Sequence, residues 1–105
     1  MHFEATEVGF DGAIGGASNS DFEAGYHYVL FGIDPDSGDV YFEYDDQANG
    51  SVGEVEQVVV KKQFVKFVLK AGAMVTVGFQ QCQSGWPEFR SRLGSVFKSE
   101  LVVEE

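Results

Sequence analysis

Apolar and polar residues alternate along most of the chain, which is the pattern of half-buried β-strands. The alternation is strongest in residues 25–33 and 40–46, where aromatic and β-branched side chains predominate. The residues between them, 34–39, are acidic and rich in turn formers, and we call them the acidic tip. The pattern therefore predicts a β-hairpin that carries the acidic tip at its turn.

Four further segments also read as strands, with turns predicted at residues 49–51, 61–62 and 71–72. The segments are residues 3–8, which are ragged, 54–60, 63–69 and 73–80. Residues 11–21 are small, polar and rich in glycine, which is typical of a loop. Six strands in succession favour an antiparallel β-meander.

The period of the apolar residues changes after residue 80. Phe89, Leu93, Val96 and Phe97 recur at the spacing of one helical face. Pro87 suits a first helical turn, so we expect a helix over about residues 87–98, with Arg90 and Arg92 exposed. Residues 101–103 fit a short closing strand and a frayed tail equally well.

These elements predict one α+β domain over residues 1–105, an antiparallel meander of about six strands with one C-terminal helix packed on the sheet. A hydrophobic content of 44% is ample for a packed core. The residues expected in that core are Val29, Phe31, Phe42, Tyr44, Val65, Phe67, Val75 and Val77.

The predicted hairpin separates its side chains onto two faces. If Ile33 pairs with Val40, Phe31 faces Phe42 and Val29 faces Tyr44, and these six residues share the core side. The opposite side then carries Tyr28, Leu30, Tyr41, Glu43 and Asp45. Tyrosines among carboxylates are typical of a binding surface. The same side could instead lie beneath the N-terminal strand, and the sequence leaves both interpretations open.

Charge is divided unevenly along the chain, whose formal net charge is -10. Residues 1–60 contain thirteen carboxylates and no Lys or Arg, whereas residues 61–105 contain all seven basic residues. An acidic surface attracts a basic partner, and it is unsuited to nucleic acid, because phosphate binding needs Lys and Arg. A simpler interpretation is that the acidic half only keeps the protein soluble.

Catalytic and metal-binding motifs are weak or missing in this sequence. The single cysteine, Cys82, is expected to be an unreactive thiol, and His27 lies in a strand, where histidine is usually structural. Asp34, Asp36 and Asp39 suggest a calcium loop, but their spacing does not match an EF-hand. We therefore expect no enzyme, no catalytic residue, no metal and no cofactor. No secretory signal or membrane segment is evident, so a cytoplasmic protein with no membrane partner is expected.

The chain also resembles a known family over residues 25–98. The resemblance lies in Tyr28-Val29-Leu30-Phe31, the acidic connection, the run from Val40 to Gln47, and Gly53 followed by Val55, Val58 and Val60. These residues resemble the tenth immunity-protein family of bacterial polymorphic toxin systems. The resemblance implies a cytoplasmic antitoxin that neutralises a cognate toxin domain by binding it, with no catalytic residues.

The predicted function is thus an acidic immunity protein, a monomer or a homodimer, whose partner is a toxin with a basic surface such as a nuclease. Two alternatives remain: a phage-encoded inhibitor that mimics nucleic acid, and a small divalent-metal module centred on the acidic tip. The predicted partner-binding residues are Tyr28, Asp34, Asp36, Asp39, Tyr41, Glu43, Asp45 and Asp46.

Overall fold

The computed structural model describes residues 1–19, 25–82 and 84–104. These residues form ten strands, one α-helix and a single 3-10 turn at Ser99–Leu101. In chain order the elements are β1 (His2–Glu4), β2 (Glu7–Asp11), β3 (Ile14–Ser18), β4 (Tyr28–Ile33), β5 (Val40–Tyr44), β6 (Asp46–Val52), β7 (Val55–Val60), β8 (Phe64–Leu69), β9 (Met74–Gly78), α1 (Trp86–Val96) and β10 (Val102–Glu104).

The strands form two five-stranded sheets. The first sheet has the order β1-β9-β8-β7-β10, in which β1 and β10 are parallel to their neighbours and the other pairs are antiparallel. The second sheet, β2-β3-β4-β5-β6, is an antiparallel meander. The predicted α+β class agrees with this fold, but the prediction of one sheet with about six strands is wrong.

The additional strands lie where the sequence suggested loops or a single strand. The expected first strand, residues 3–8, is divided between β1 and β2, which belong to different sheets. Strand β3 occupies part of the predicted glycine loop. Its Gly15 is needed for packing, since a Cβ atom there would lie 2.7 Å from ring atoms of both Phe10 and Phe31. Part of the predicted loop, residues 20–21, lies outside the described residues.

The chain reverses direction between β5 and β6 earlier than expected. Residues 49–51, predicted as a turn, lie inside β6. The reversal is at Asp45, whose φ of 63° allows Tyr44 to pair with Asp46. Asp and Asn tolerate this left-handed conformation better than most residues. The last segment, left open by the sequence, is strand β10 and pairs with β7.

The predicted hairpin register is confirmed. Strands β4 and β5 pair Ile33 with Val40, Phe31 with Phe42, and Val29 with Tyr44. A shift of one residue would exchange the faces of both strands. The register therefore determines which side chains lie in the core and which lie on the outside.

The two sheets face each other across an aromatic core. Phe67 of the first sheet lies 4.8 Å from Phe42 and 5.8 Å from Phe31 of the second, measured between ring centroids. Seven of the eight predicted core residues are buried, and Tyr44 is partly buried against them. The core prediction is thus confirmed except for the full burial of Tyr44.

Helix α1 packs against the second sheet and against the segment that follows β9. The ring of Phe89 contacts Phe10 and Phe31 of the second sheet and also Phe79, which follows β9. All four residues predicted for the apolar helical face are buried, although the helix ends at Val96 and Phe97 caps it. Gly85 precedes the helix, and the proline then lies in the first turn as expected.

The two helix arginines are partly buried, so the prediction that they are exposed is wrong. Arg92 lies over the ring of Phe10, 4.3 Å from its centroid, and donates a hydrogen bond to the Gly12 carbonyl oxygen at 3.0 Å. Arg90 lies 3.7 Å from a carboxylate oxygen of Glu104. Long aliphatic stems allow arginine to cover apolar surface in this way.

We expect Phe67→Ala to lower the free energy of unfolding by about 3–5 kcal/mol, because the fully buried ring contacts aromatic residues from the opposite sheet and the helix end. Urea denaturation followed by circular dichroism measures this loss. The control is Met74→Ala on a side chain that is 49% exposed, which should change stability by less than about 0.5 kcal/mol. A loss below about 1 kcal/mol for Phe67→Ala would contradict the packing described above.

Candidate functional site

The second sheet has one side that points away from the first sheet, and we call this side the outer face. One row of paired residues across it consists of Gly9, Gly16, Leu30 and Glu43. The flanking rows place Glu7 and Tyr28 towards one end of the sheet, and Asp11, Ile14 and Tyr41 towards the other. Strand β1 lies in the first sheet and β2 at the edge of the second, so the N-terminal strand does not cover this face.

Glu43 lies at the centre of a hydrogen-bonded group on the outer face. The hydroxyls of Tyr28 and Tyr41 each donate to one of its carboxylate oxygens, with 2.5 Å between the Tyr41 and Glu43 oxygens. The Glu43 residue is only 7% exposed, and an ionised carboxylate at such a position needs donors of this kind. The glycine at position 50 makes room, since a side chain there would collide with the Tyr41 hydroxyl.

Both tyrosines hold their protons more tightly than free tyrosine. The hydrogen bond to Glu43 raises the pKa of Tyr28 well above its ordinary value, with further contributions from burial and from the negative charge of Glu43. The same three causes, led by the hydrogen bond, raise the pKa of Tyr41. Each hydroxyl is thus a fixed donor at neutral pH.

Asp45 positions Tyr28. One oxygen of its carboxylate accepts a hydrogen bond from the Tyr28 backbone N–H at 3.2 Å, and the other lies 2.9 Å from Nδ1 of His27. The His27 ring stacks on Phe3 of the first sheet, with centroids 5.9 Å apart. Through His27, Asp45 thus connects the outer face to Phe3 of the first sheet.

The acidic tip lies at the other end of the β4–β5 hairpin, and the five residues of β5 separate it from Asp45, a span of roughly 20 Å. Asp34 accepts hydrogen bonds from the backbone N–H and the hydroxyl of Ser37, which closes the turn. Asp39 lies 3.9 Å from Nζ of Lys98, and Asp36 is exposed. The structure thus brings together Tyr28, Tyr41, Glu43 and Asp45, with Asp46 next in the chain, and places the three tip residues elsewhere.

The described residues contain no group of three or more His, Cys, Asp or Glu side chains placed to hold a metal ion. The three carboxylates of the acidic tip are not part of such a group in these residues. Burial, assisted by the charge of Glu4, raises the pKa of the Cys82 thiol. The raised pKa favours the protonated thiol, and the expectation of an unreactive cysteine stays a prediction.

Sequence reasoning missed the part of the outer face that β2 and β3 provide. Gly9 and Gly16 leave a groove of about 320 Å³ beside Tyr26, Tyr28 and Leu30. The available signal was the alternation in residues 7–11, whose apolar members Val8 and Phe10 pack against the core. Neighbouring glycines hid that signal, because they reduce the β-propensity of the segment.

Comparisons with known proteins give no match to a protein-family model, to a curated protein or to a solved structure. The resemblance to the tenth immunity-protein family consequently stays a prediction. Within residues 1–19, 25–82 and 84–104, no helix has the length and apolar character needed to cross a membrane.

The raised tyrosine pKa values predict how stability depends on pH. In the folded state Tyr28 and Tyr41 lose their protons above the ordinary pKa of 10.0, whereas in the unfolded state they lose them near it. The folded protein therefore binds more protons above pH 10, so its stability is complete below that pH and falls as the pH rises further.

Ultraviolet absorbance of tyrosinate should show that Tyr28 and Tyr41 ionise above the ordinary pKa of 10.0. Glu43→Gln removes the anionic acceptor and should return both pKa values towards the ordinary value. The control, Glu56→Gln, alters an exposed carboxylate on β7 and should leave the titration unchanged. Ionisation of all four tyrosines together near pH 10 in the unmodified protein would contradict the hydrogen-bonded group.

Proposed function

We propose that the protein is an immunity protein that binds and neutralises a cognate toxin domain with a basic surface, and that it binds through the outer face of the second sheet. The observation that carries this proposal is the charge of that sheet. Its five strands lie between residues 7 and 52, whereas the first basic residue of the chain is Lys61. The strands therefore contribute carboxylates and no cation.

Charge is also graded along the sheet. Arg92 reaches the turn between β2 and β3, and Lys98 reaches the acidic tip, so two cations from the C-terminal part of the chain lie near the same end. Glu7, Tyr28 and Asp45 lie at the other end, which we call the acidic end. Asp11 and the three carboxylates of the acidic tip lie at the same end as these two cations, which partly offset their charge. Because potentials of like charges add, we expect a basic partner to be attracted mainly to the acidic end.

The tyrosines supply the contact surface that the carboxylates lack. Tyr28 and Tyr41 are held in place by Glu43, so their rings lose little conformational entropy when a partner covers them. Exposed carboxylates contribute little affinity one by one, but together they increase the association rate. Affinity in this arrangement comes from the aromatic centre, and the rate of encounter comes from the acidic end.

Binding alone accounts for neutralisation. A toxin that cleaves nucleic acid needs a basic cleft for its phosphate contacts. A small acidic face that covers such a cleft competes with the substrate directly. The antitoxin needs no chemistry of its own for this mode of inhibition.

Co-expression tests the proposed function. The protein should restore the growth of cells that produce the toxin encoded by the neighbouring gene in the native host, and the two proteins should purify as a stable complex. Cells expressing the toxin with an unrelated acidic protein of similar size control for charge alone. A neighbouring gene product that is neither toxic nor bound by this protein would overturn the proposal.

Charge reversal tests where the partner binds. Glu7→Lys combined with Asp46→Lys should slow association with the toxin several-fold at low salt and weaken the salt dependence of the rate, because both residues are exposed on or beside the acidic end. Surface plasmon resonance at two ionic strengths measures both effects.

The matched control is Glu56→Lys combined with Glu100→Lys, which changes the net charge equally on exposed positions of the first sheet and the 3-10 turn. The control should keep most of the original association rate. Equal slowing by the two double variants would mean that net charge, and not the acidic end, directs the encounter.

A further inference from the structure

The groove on the outer face has a floor without side chains. Gly9 of β2 and Gly16 of β3 pair directly with each other, and Leu30 is the next residue in the row. A hollow of about 320 Å³ lies on one side of this floor, and a second of about 420 Å³ lies on the other side, towards Asp11 and Ile14. The two hollows share Gly9, Gly16 and Leu30. Both hollows are shallow and open to solvent, so they suit a side chain that lies along the surface of the sheet.

The wall at the acidic end is aromatic and anionic. The rings of Tyr26 and Tyr28 lie 5.9 Å apart, and the Glu7 carboxylate borders the same hollow. Because Tyr28 donates its hydroxyl proton to a carboxylate, electron density shifts into its ring and strengthens the attraction of the ring face for a cation. The groove thus combines an aromatic wall with negative charge.

The protein already accommodates a guanidinium group next to this groove. Arg92 stacks over Phe10, the residue after Gly9, and donates to the carbonyl of Gly12 in the following turn. This contact is on the core side of the β2–β3 hairpin. The opposite side of the same hairpin offers aromatic rings and carboxylates with no cation from its own strands.

We infer that this groove binds one arginine side chain of the basic partner, an inference that rests on the proposed function. A guanidinium group is planar, stacks on aromatic rings and is weakly hydrated, so it fits a shallow hollow with a flat floor. A lysine ammonium group is compact and strongly hydrated, and it gains less from the ring faces. Charge complementarity selects a cation, and the aromatic wall selects arginine over lysine.

N-acetyl-arginine amide and N-acetyl-lysine amide serve as probes in a nuclear magnetic resonance titration of the intact protein. The arginine amide should produce saturable chemical-shift changes at Gly9, Gly16 and Tyr28, with an affinity at least about threefold higher than that of the lysine amide. Equal affinities for the two amides, or shifts confined to other residues, would overturn the inference.

Gly9→Val is the variant that blocks the groove. A Cβ atom at Gly9 would meet no atom within 4 Å, and valine favours strands, so the fold should be kept. The variant should abolish the arginine shifts and weaken toxin binding about tenfold or more. The control is Gly94→Ala on the helix, where a Cβ atom also meets nothing within 4 Å. This variant should leave the arginine-induced chemical shifts and the affinity for the toxin unchanged.

The two proposals fail in different ways. If Gly9→Val retains full toxin affinity while the Glu7 and Asp46 reversal lowers the association rate, the groove assignment is wrong and the immunity function stands. If the arginine amide occupies the groove but the protein neither binds nor neutralises the neighbouring gene product, the groove is an arginine site and the immunity function is wrong.

Discussion

The ring of Phe31 contacts the rings of Phe10, Phe67, Phe89 and Phe97, and through them it joins the two sheets and the helical segment. The rest of the molecule depends on this interaction, because it determines which side of β4 faces inwards. Once Phe31 is buried, the alternation of the strand directs Tyr28 and Leu30 outwards. The outer face is thus a consequence of how the core packs.

The hairpin of β4 and β5 was predictable because its signal is local. Aromatic and β-branched residues alternate with polar ones on both sides of a run of turn formers, and the observed register buries Val29, Phe31 and Phe42 together. The same holds for α1, whose apolar positions repeat at the helical period and whose first turn contains proline. In these elements local preference and tertiary packing agree.

The second sheet as a separate layer was not predictable, for two physical reasons. Gly15 and Gly16 in β3 allow close packing with their neighbours, but glycine has a low strand propensity. The sequence of this segment is therefore typical of a loop. The parallel partners of β1 and β10 lie elsewhere in the sequence, in β9 and β7, and no local pattern specifies such pairings. The alternation did indicate which residues share the outer face, but the close approach of Gly50 to the Tyr41 hydroxyl depends on the turn at Asp45, which places β6 beside β5.

The topology of the first sheet has a consequence for synthesis on the ribosome. The second sheet is contiguous in sequence and can assemble once Val52 has emerged, whereas β1 must wait for β9, and β7 gains its last neighbour only with β10. During that interval the phenylalanines on the inner side of the second sheet have no opposite layer. The nascent chain is then most exposed to self-association, and a chaperone that shields apolar surface has its greatest effect at this stage of translation.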